Sequence, residues 1–310
     1  MRSRAVVMSV LACFLGTAAP ARADEEVIPG HTVDRPVDGA VQGLALGATL
    51  GFSLIPMRSD PQLWATELLQ VDRGVHDNFS RRAAHLSDAL LVSSLAAPAI
   101  YLTGSTIDDA DGDRLMIYGQ SIAINAALAQ GAKRLVQRPR PYNYSNDPAV
   151  RRYAQSEGDD AWMSFYSGHA SLSFGAAVTG AYLLGASSDS KLARGMGWGL
   201  GLMAASATAN LRVRAGKHFY SDVVIGAVIG VAVGYIVPAL HADGRPYIPD
   251  GQELAAAGAG ILGGLLISSL IPLEKKRTEG DEARPSAISR LNLSPVPMPN
   301  GIGLALGGAL

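Results

Sequence analysis

The sequence predicts an all-α protein, a bundle of about six to seven apolar helices, followed by a short C-terminal β-hairpin. Hydrophobic residues make up 48% of the 310 residues and charged residues only 17%. Seven apolar segments recur along the chain, and their length and their Ala, Gly and Leu content favour helices over strands. The 35 glycines lie largely inside these segments, a composition typical of membrane helices.

The N-terminus has the pattern of a secretory signal peptide. Residues 1–4 are basic, residues 5–19 are apolar, and Ala21-Arg22-Ala23 is a small-x-small cleavage site before an acidic stretch. We therefore expect cleavage after Ala23 and export of the mature chain. A first membrane anchor is the alternative, but the apolar run is short. The only cysteine, Cys13, lies in this run, so the mature chain is expected to form no disulfide.

The seven apolar segments make up most of the mature chain. They lie at about residues 39–56, 86–103, 115–132, 169–186, 195–210, 222–240 and 254–272. Only the sixth and seventh segments are hydrophobic enough by themselves to be identified as membrane spans. The other five equally fit buried helices of a soluble bundle. Between the first two, Trp64–Val71 has the amphipathic spacing of a helix that caps the bundle or lies along a membrane surface.

The composition changes after Leu273. A polar stretch that begins Glu274-Lys-Lys-Arg277 reads as a linker, and alternating apolar residues around Asn300-Gly301 predict a hairpin despite three prolines. The expected organisation is a signal peptide over residues 1–23, a helical domain over 24–273, and a linker and tail over 274–310.

The balanced charge of the chain does not indicate a nucleic-acid-binding protein, and the spacing of its carboxylates does not indicate a metal site. Lys+Arg number 26 and Asp+Glu 27, which leaves a net charge of −1. Residues 109–113 resemble a calcium loop, but Arg114 stands where the loop needs glycine and Gln120 where it needs the last ligand. We interpret this run as a solvated turn before the third helix, and we expect no cofactor and no metal.

The first cluster with chemical character, residues 133–141, ends the third apolar segment. It contains four cations in eight residues, among them Lys133 and Arg140, which is costly unless they are solvated or face an anion. Two prolines stop the helix and stiffen the chain that carries Arg140. A basic helix end at a membrane surface is the alternative.

The second cluster, residues 164–171, lies at the start of the fourth apolar segment and contains Ser167-Gly168-His169. A serine and a glycine at a helix start present a hydroxyl and backbone N–H groups to an anion, and the helix dipole adds attraction. A phosphate fits there with His169 beside it as proton donor. Taken alone, the cluster equally fits a serine cap followed by a surface histidine.

The third cluster, residues 212–222, connects the fifth and sixth segments and contains Arg212, His218 and Asp222. His218 and Asp222 are four residues apart, so on a helix they share one face and the carboxylate bonds one imidazole nitrogen. The other nitrogen is then unprotonated, as a nucleophile requires. A structural pair that caps the helix is the alternative.

Together the clusters resemble the three-part signature of the type 2 phosphatidic acid phosphatase and vanadium haloperoxidase superfamily, in order and in the spacing within each part. The resemblance covers residues 133–222 directly and the surrounding helices more loosely. Tyr166 stands where the family usually has proline, and Leu211 where it often has serine. Neither position supplies a catalytic group, so we expect a change in loop shape or substrate fit.

The resemblance implies a metal-independent phosphatase for phosphate monoesters or diphosphates, with the catalytic groups at helix ends on one side of the bundle. His218 would attack phosphorus and form a phosphohistidine, Asp222 would orient it, and His169 would protonate the leaving oxygen and then activate water. The other signature residues would hold the phosphate oxygens: Lys133, Arg140, Ser167, Gly168 and Arg212. A vanadium-dependent haloperoxidase that uses the same site is the alternative.

We expect the substrate to be a phosphorylated lipid or a small phosphoester. The expected location is the bacterial cell envelope, with the enzyme membrane-associated rather than soluble in the periplasm. If the signal peptide is removed and the first three segments all span, the site faces the cytoplasm, whereas family members of this type usually act on the outer face. Either one early segment does not span, or the domain is soluble or peripheral, like the secreted acid phosphatases of this superfamily.

Overall fold

The structure, a computed structural model, describes residues 30–58, 62–64, 70–76, 78–109, 112–272, 292–298 and 301–307. Contacts divide the chain after Ile271 into a helical unit and a unit that contains the C-terminal hairpin. The predicted signal peptide lies outside the described residues, and so does most of the amphipathic segment Trp64–Val71.

Each of the seven predicted apolar segments coincides with one long helix, which confirms the all-α prediction. The described helices are α1 (Arg35–Ser53), α2 (Arg81–Asp109), α3 (Asp113–Val136), α4 (Pro148–Ser156), α5 (Gly168–Gly185), α6 (Lys191–Arg214), α7 (Tyr220–Leu240) and α8 (Gly251–Leu270). Three short 3-10 helices span Gln70–Val75, Pro141–Tyr144 and Gly158–Trp162. Helix α4 was not predicted, because its mostly polar sequence lacks the apolar pattern that identified the other helices.

The helices begin where the sequence supplies capping side chains. Asp34 accepts from the Val37 amide at the start of α1, and Ser190 accepts from the Ala193 amide at the start of α6. Asp250 accepts from two first-turn amides of α8. Each of these contacts satisfies an amide that has no partner within its own helix.

Helix α5 is the centre of the bundle. Its residues are nearly all buried, and it packs against α2, α3, α6 and α7. The α5–α7 contact depends on the small size of Gly226 and Gly230, because a Cβ there would lie 2.5 Å from the Ser167 carbonyl oxygen and 2.3 Å from that of Ser171. Around this centre, α1 packs on α3 and α8 packs on α6.

The long helices run alternately up and down, so one end of the bundle collects seven helix termini. We call it the site end: it holds the first residues of α2, α5 and α7 and the last residues of α1, α3, α6 and α8. Hydrogen bonds cross it between Arg134 and Ile55 (3.2 Å), between Asn78 and Val213 (3.1 Å), between Ser167 and Asp222 (3.1 Å), and between Arg214 and Ile271 (2.8 Å).

The connection between α3 and α5, residues 137–167, covers part of the site end. It contains α4 and two of the 3-10 helices. It has an apolar cluster of its own, in which Tyr142, Val150, Ala154 and Ala161 are buried. The connection is therefore a packed layer that holds its polar side chains in position.

Among the described helices, three are long and apolar enough to cross a membrane: residues 81–104 of α2, all of α7 and all of α8. The sequence predicted α7 and α8, and α2 adds a third. Large apolar side chains are also exposed outside these helices, for example Leu44 on α1 and Leu192 on α6, each 74% exposed.

Two pairs of antiparallel strands complete the description. In the helical unit, β1 (Gly30–His31) pairs with β2 (Ala242–Asp243). In the C-terminal unit, β3 (Asn292–Met298) pairs with β4 (Gly301–Gly307), in a register that runs from Asn292 opposite Gly307 to Met298 opposite Gly301. This second pair confirms the predicted hairpin.

Candidate active site

The structure brings all eight predicted site residues to the site end. Lys133 lies in the last turn of α3, Arg140 follows that helix, and Ser167 caps α5 directly before Gly168 and His169. Arg212 lies in the last turn of α6, His218 in the connection after it, and Asp222 in the first turn of α7. The three clusters, distant in sequence, therefore form one arrangement.

The start of α5 is a potential anion site. Ser167 Oγ accepts from the Ala170 amide at 3.3 Å, which leaves its hydroxyl hydrogen free to donate. The amides of Gly168 and His169 lie in the first helical turn, where no intrahelical acceptor exists. Lys133 lies beside the start of α5, since its Nζ would be in ordinary contact, at 3.5 Å, with a Cβ at Gly168.

Arg140 is held rigidly, with only 2% of its surface exposed. Its Nε donates to the backbone carbonyl of Asp160 at 2.7 Å, its Nη2 to the Asp160 carboxylate at 2.6 Å, and its Nη1 to the Lys217 carbonyl at 3.2 Å. Burial alone would raise the pKa of Asp160, but Arg140 and Lys217 hold that pKa below its ordinary value. The guanidinium is thus fixed by the α3–α5 connection.

Four cations meet at the site end: Lys133, Arg140, Arg212 and Lys217. Burial, followed by the charge of Arg140, lowers the pKa of Lys133 and the pKa of Lys217 to about 8 each. Lys217 forms an ion pair with Glu157, on the α3–α5 connection. The lowered pKa values show that neighbouring cations still act on these lysines despite the paired carboxylates, a potential that favours a bound anion.

His218 is completely buried, and its contacts define its tautomer. Its Nδ1 lies 2.7 Å from the carbonyl oxygen of Ser164, and because a carbonyl only accepts, Nδ1 carries the hydrogen. Burial and the charges of Arg140 and Arg212 hold its pKa well below the ordinary value, so the ring is neutral. Nε2 therefore carries a lone pair, and it is buried with no partner among the described residues.

The expectation that His218 and Asp222 share a helical face with a direct hydrogen bond is wrong. Helix α7 begins at Tyr220, after His218, and Asp222 Oδ2 lies 3.8 Å from His218 Nδ1. The Asp222 carboxylate therefore acts on the imidazole through Ser164 and not through a direct hydrogen bond. Its Oδ2 accepts from Ser164 Oγ at 2.5 Å, and the Ser164 carbonyl holds the imidazole.

Asp222 is itself held by an ion pair that the sequence analysis did not assign. Arg138 Nη1 donates to Asp222 Oδ1 at 2.6 Å, and Arg138 Nη2 donates to Asp72 Oδ2 at 2.9 Å. Asp72 also accepts from the amide and the hydroxyl of Ser221. The segment that precedes α2 therefore takes part in positioning the first turn of α7.

His169 and Arg212 meet at a second carboxylate. His169 Nε2 lies 2.8 Å from Asp88 Oδ1, and Arg212 Nη1 lies 3.0 Å from the same oxygen. Burial and the charge of Arg212 lower the pKa of His169 to about 3, against the opposite effect of Asp88. His169 is therefore neutral in the absence of a bound anion.

Among the buried side-chain nitrogens without a hydrogen-bond partner in the described residues, His218 Nε2 and Arg212 Nε lie together at the site end. Buried polar atoms of this kind are normally satisfied, so a group of them indicates the position of a ligand or of water. Across the described residues, no group of three or more His, Cys, Asp or Glu side chains is placed to hold a metal ion.

Sequence reasoning gave no role to Asp72, Asp88, Asp160, Ser164 or Lys217, although Ser164 and Lys217 lie in the second and third clusters. Lys217 adjoins His218 in the sequence, so its charge and its place in the third cluster were signals that could have identified it. Asp160 and Ser164 lie in the α3–α5 connection, where no apolar pattern predicts their orientation. Asp72 and Asp88 precede the first cluster by more than a helix length and carry no local signal.

The comparison with known families agrees with this geometry. Residues 114–245, which include all eight predicted site residues, match the family model of the PAP2 superfamily. No curated protein and no solved structure matches the chain significantly. The match confirms the predicted resemblance to the type 2 phosphatidic acid phosphatase superfamily over the segment that carries the candidate site.

Proposed function

We propose that the protein hydrolyses phosphate monoesters or diphosphates through a phosphohistidine intermediate on His218. Members of the PAP2 superfamily are generally phosphoric ester hydrolases, which supports the reaction class. The observation that carries the mechanism is the Nε2 atom of His218, a buried and unpartnered lone pair in a region of four cations. Such an atom is suited to attack an anionic phosphorus centre.

In the first step, Nε2 of His218 bonds to phosphorus and the bond from phosphorus to the leaving oxygen breaks. The imidazole becomes positively charged, and the Ser164 carbonyl and the Asp222 carboxylate beyond it stabilise that charge. Lys133, Arg140 and Arg212 bind the non-bridging oxygens, together with the Ser167 hydroxyl and the Gly168 amide. His169, which is protonated once the bound anion offsets the neighbouring cations, gives that proton to the leaving oxygen.

In the second step, water attacks phosphorus and the nitrogen–phosphorus bond breaks. His169, now deprotonated, accepts a proton from that water. Phosphate leaves, and His218 returns to its neutral form with the hydrogen on Nδ1. Both histidines thus end as they began, and the net reaction consumes one water molecule.

A lipid phosphate is the substrate class that the surface favours. Candidate membrane helices α2 and α7 both begin at the site end, and α8 ends there. The site therefore lies where these helices would leave the apolar layer, at the depth of lipid headgroups. We further propose that the enzyme is exported to the cell envelope after removal of residues 1–23.

Trapping of the phosphoenzyme tests the mechanism. With an activated aryl phosphate, rapid quenching should capture an acid-labile, base-stable phosphoprotein, and a chelator should not prevent it. His218→Ala should give no phosphoprotein, whereas His169→Ala should still form it, because an activated leaving group needs no proton. His241→Ala, at the other end of α7, is the matched control and should behave as the parent does.

Two outcomes contradict the proposal. Loss of phosphoprotein in His169→Ala with retention in His218→Ala would mean that nucleophile and acid are exchanged. Turnover by the parent without any trapped phosphoprotein, together with dependence on a divalent ion, would mean that the reaction follows another route.

A further inference from the structure

Asp88, in the second turn of α2, contacts two groups of the proposed site without belonging to the signature. Its Oδ1 accepts from His169 Nε2 at 2.8 Å and from Arg212 Nη1 at 3.0 Å. Ser87 contributes a further contact to the same Nη1 at 3.2 Å. A single carboxylate oxygen thus joins the proposed proton donor to one of the proposed phosphate-binding cations.

The contact also defines the tautomer of His169. An ionised carboxylate only accepts hydrogen bonds, so the hydrogen lies on Nε2 and points at Asp88. The Asp88 side chain is 54% exposed, whereas Arg212 is 6% exposed. Asp88 therefore lies on the open side of the site, where a leaving group has room to depart.

A general acid in this position needs a negative neighbour. To protonate a leaving oxygen, His169 must itself be protonated first, because a neutral imidazole would otherwise have to become an anion. The charged groups that face it are Arg212 on α6 and Lys133 on α3, which oppose protonation, and Asp88 on α2, which favours it. Bound phosphate would offset the two cations, and Asp88 would remain as the partner of the proton.

We propose that Asp88 is a positioning residue for the acid step: its Oδ1 accepts the Nε2–H of His169, which orients the ring and stabilises its protonated form. The proton that the leaving oxygen takes is then the one on Nδ1. This inference rests on the proposed function. In the first step the proton moves from Nδ1 to the leaving oxygen, and in the second it returns to Nδ1 from water, while Nε2–H stays hydrogen-bonded to Asp88, which gains and loses no proton.

The test compares two phosphate monoesters in the parent, Asp88→Asn and Asp88→Ala proteins. With an alkyl phosphate, whose leaving group needs a proton, kcat should fall by a large part of the about 10²–10⁴-fold that a general acid contributes. With an activated aryl phosphate, it should fall by a few-fold at most. Asp159→Asn, an exposed carboxylate on the α3–α5 connection, is the matched control for loss of one negative charge and should change neither rate.

Two further measurements separate positioning from a structural role. In Asp88→Asn, the pH above which alkyl phosphate turnover declines should move to lower pH, because His169 loses the charge that favours its protonation. In a His169→Ala background, Asp88→Ala should cause no additional loss with the alkyl phosphate, since both changes remove the same step.

Equal losses with both monoesters, an unmoved pH profile or additive losses in the double variant would overturn the inference. Phosphoprotein trapping with the aryl phosphate in each variant shows whether the site is still assembled. If the parent itself traps no phosphoprotein, the proposed function fails. If the parent traps it and Asp88 has no selective effect, only the present inference fails.

Discussion

The two histidines of the site differ in how their protonation responds to a bound anion. Both are neutral when the site is empty, since burial and neighbouring cations lower their pKa values, that of His169 to about 3. An oxyanion beside Arg212 and Lys133 offsets part of that positive charge. The pKa of His169 should then rise towards the range in which a general acid works.

We therefore predict that anion binding takes up protons at pH 5 to 6. A group whose pKa rises on binding takes up a proton wherever the pH lies between its free and bound values, and that interval begins above about 3 for His169. Sulfate is the probe, because it stays fully ionised in this range. Calorimetric titration in buffers of different ionisation enthalpy measures the uptake.

His169→Gln should reduce this uptake, whereas His241→Gln at the opposite end should not change it. Near pH 8, uptake should persist in His169→Gln, because Lys133 and Lys217 have pKa values of about 8 that an anion would also raise. Uptake at pH 5 to 6 that is unaffected by His169→Gln would contradict the role of this residue.

Sequence reasoning identified the residue types of the site but not how they are held. The spacing of His218 and Asp222 suggested a direct bond on one helix, yet α7 begins only at Tyr220. The intermediary, Ser164, lies in a connection whose path no periodicity predicts. Side chains that a loop positions are the part of a site that local pattern cannot specify.

At the scale of elements, the contact between α5 and α7 positions the serine of the site. Gly226 faces the Ser167 carbonyl so closely that an added Cβ would lie 2.5 Å away, against backbone that cannot rotate aside. An alanine there must push the start of α5 away from α7. That displacement moves Ser167, Gly168 and His169 together.

Gly226→Ala should therefore destabilise the fold by about 1–3 kcal/mol and should also lower kcat with an activated aryl phosphate. Gly258→Ala, on α8, is the control, because its Cβ would meet nothing within 4 Å. It should leave kcat unchanged and stabilise the helix by up to about 1 kcal/mol. Thermal unfolding and initial rates check both, and parent-like values for Gly226→Ala would contradict the close contact.

The elements themselves were well predicted from the sequence, for a physical reason. Long apolar segments are marked by composition over many residues, so all seven long helices were identified, and the alternating tail predicted the hairpin. Helix α4 and the 3-10 helices were not predicted from the sequence, because they are short and polar. Their stability comes from packing with Tyr142 and its neighbours rather than from a periodic pattern.

At the scale of the whole molecule, the exposed apolar surface has to be explained. Leu44, Leu192, Leu240 and Leu270 each expose more than 70% of their surface, on four different helices. A large apolar side chain that stays exposed to water loses the stabilisation of about 1.5–3 kcal/mol that its burial would give. A surface of this kind is favourable against lipid tails and unfavourable in water.

We predict that the mature protein stays with the membrane fraction after washes with high salt and with alkaline carbonate, and is released by detergent. An interface held by charge would be released by salt, whereas apolar contact would not. Recovery of active protein in the carbonate wash would instead indicate a soluble or peripheral enzyme. The predicted mature N-terminus near Asp24 stays a prediction, which N-terminal sequencing of the same material would check.

The two carboxylates that precede the family-matched segment bear on how the protein can be divided. Asp72 and Asp88 come before residue 114, yet they hold Arg138 and Arg212, whose side chains are 15% and 6% exposed. A fragment that starts where the family match starts would leave both guanidinium groups short of a counter-charge. Removing one partner of a buried ion pair, such as Asp72 from Arg138, costs about 3–5 kcal/mol. The shortest self-sufficient catalytic fragment therefore has to begin before Asp72.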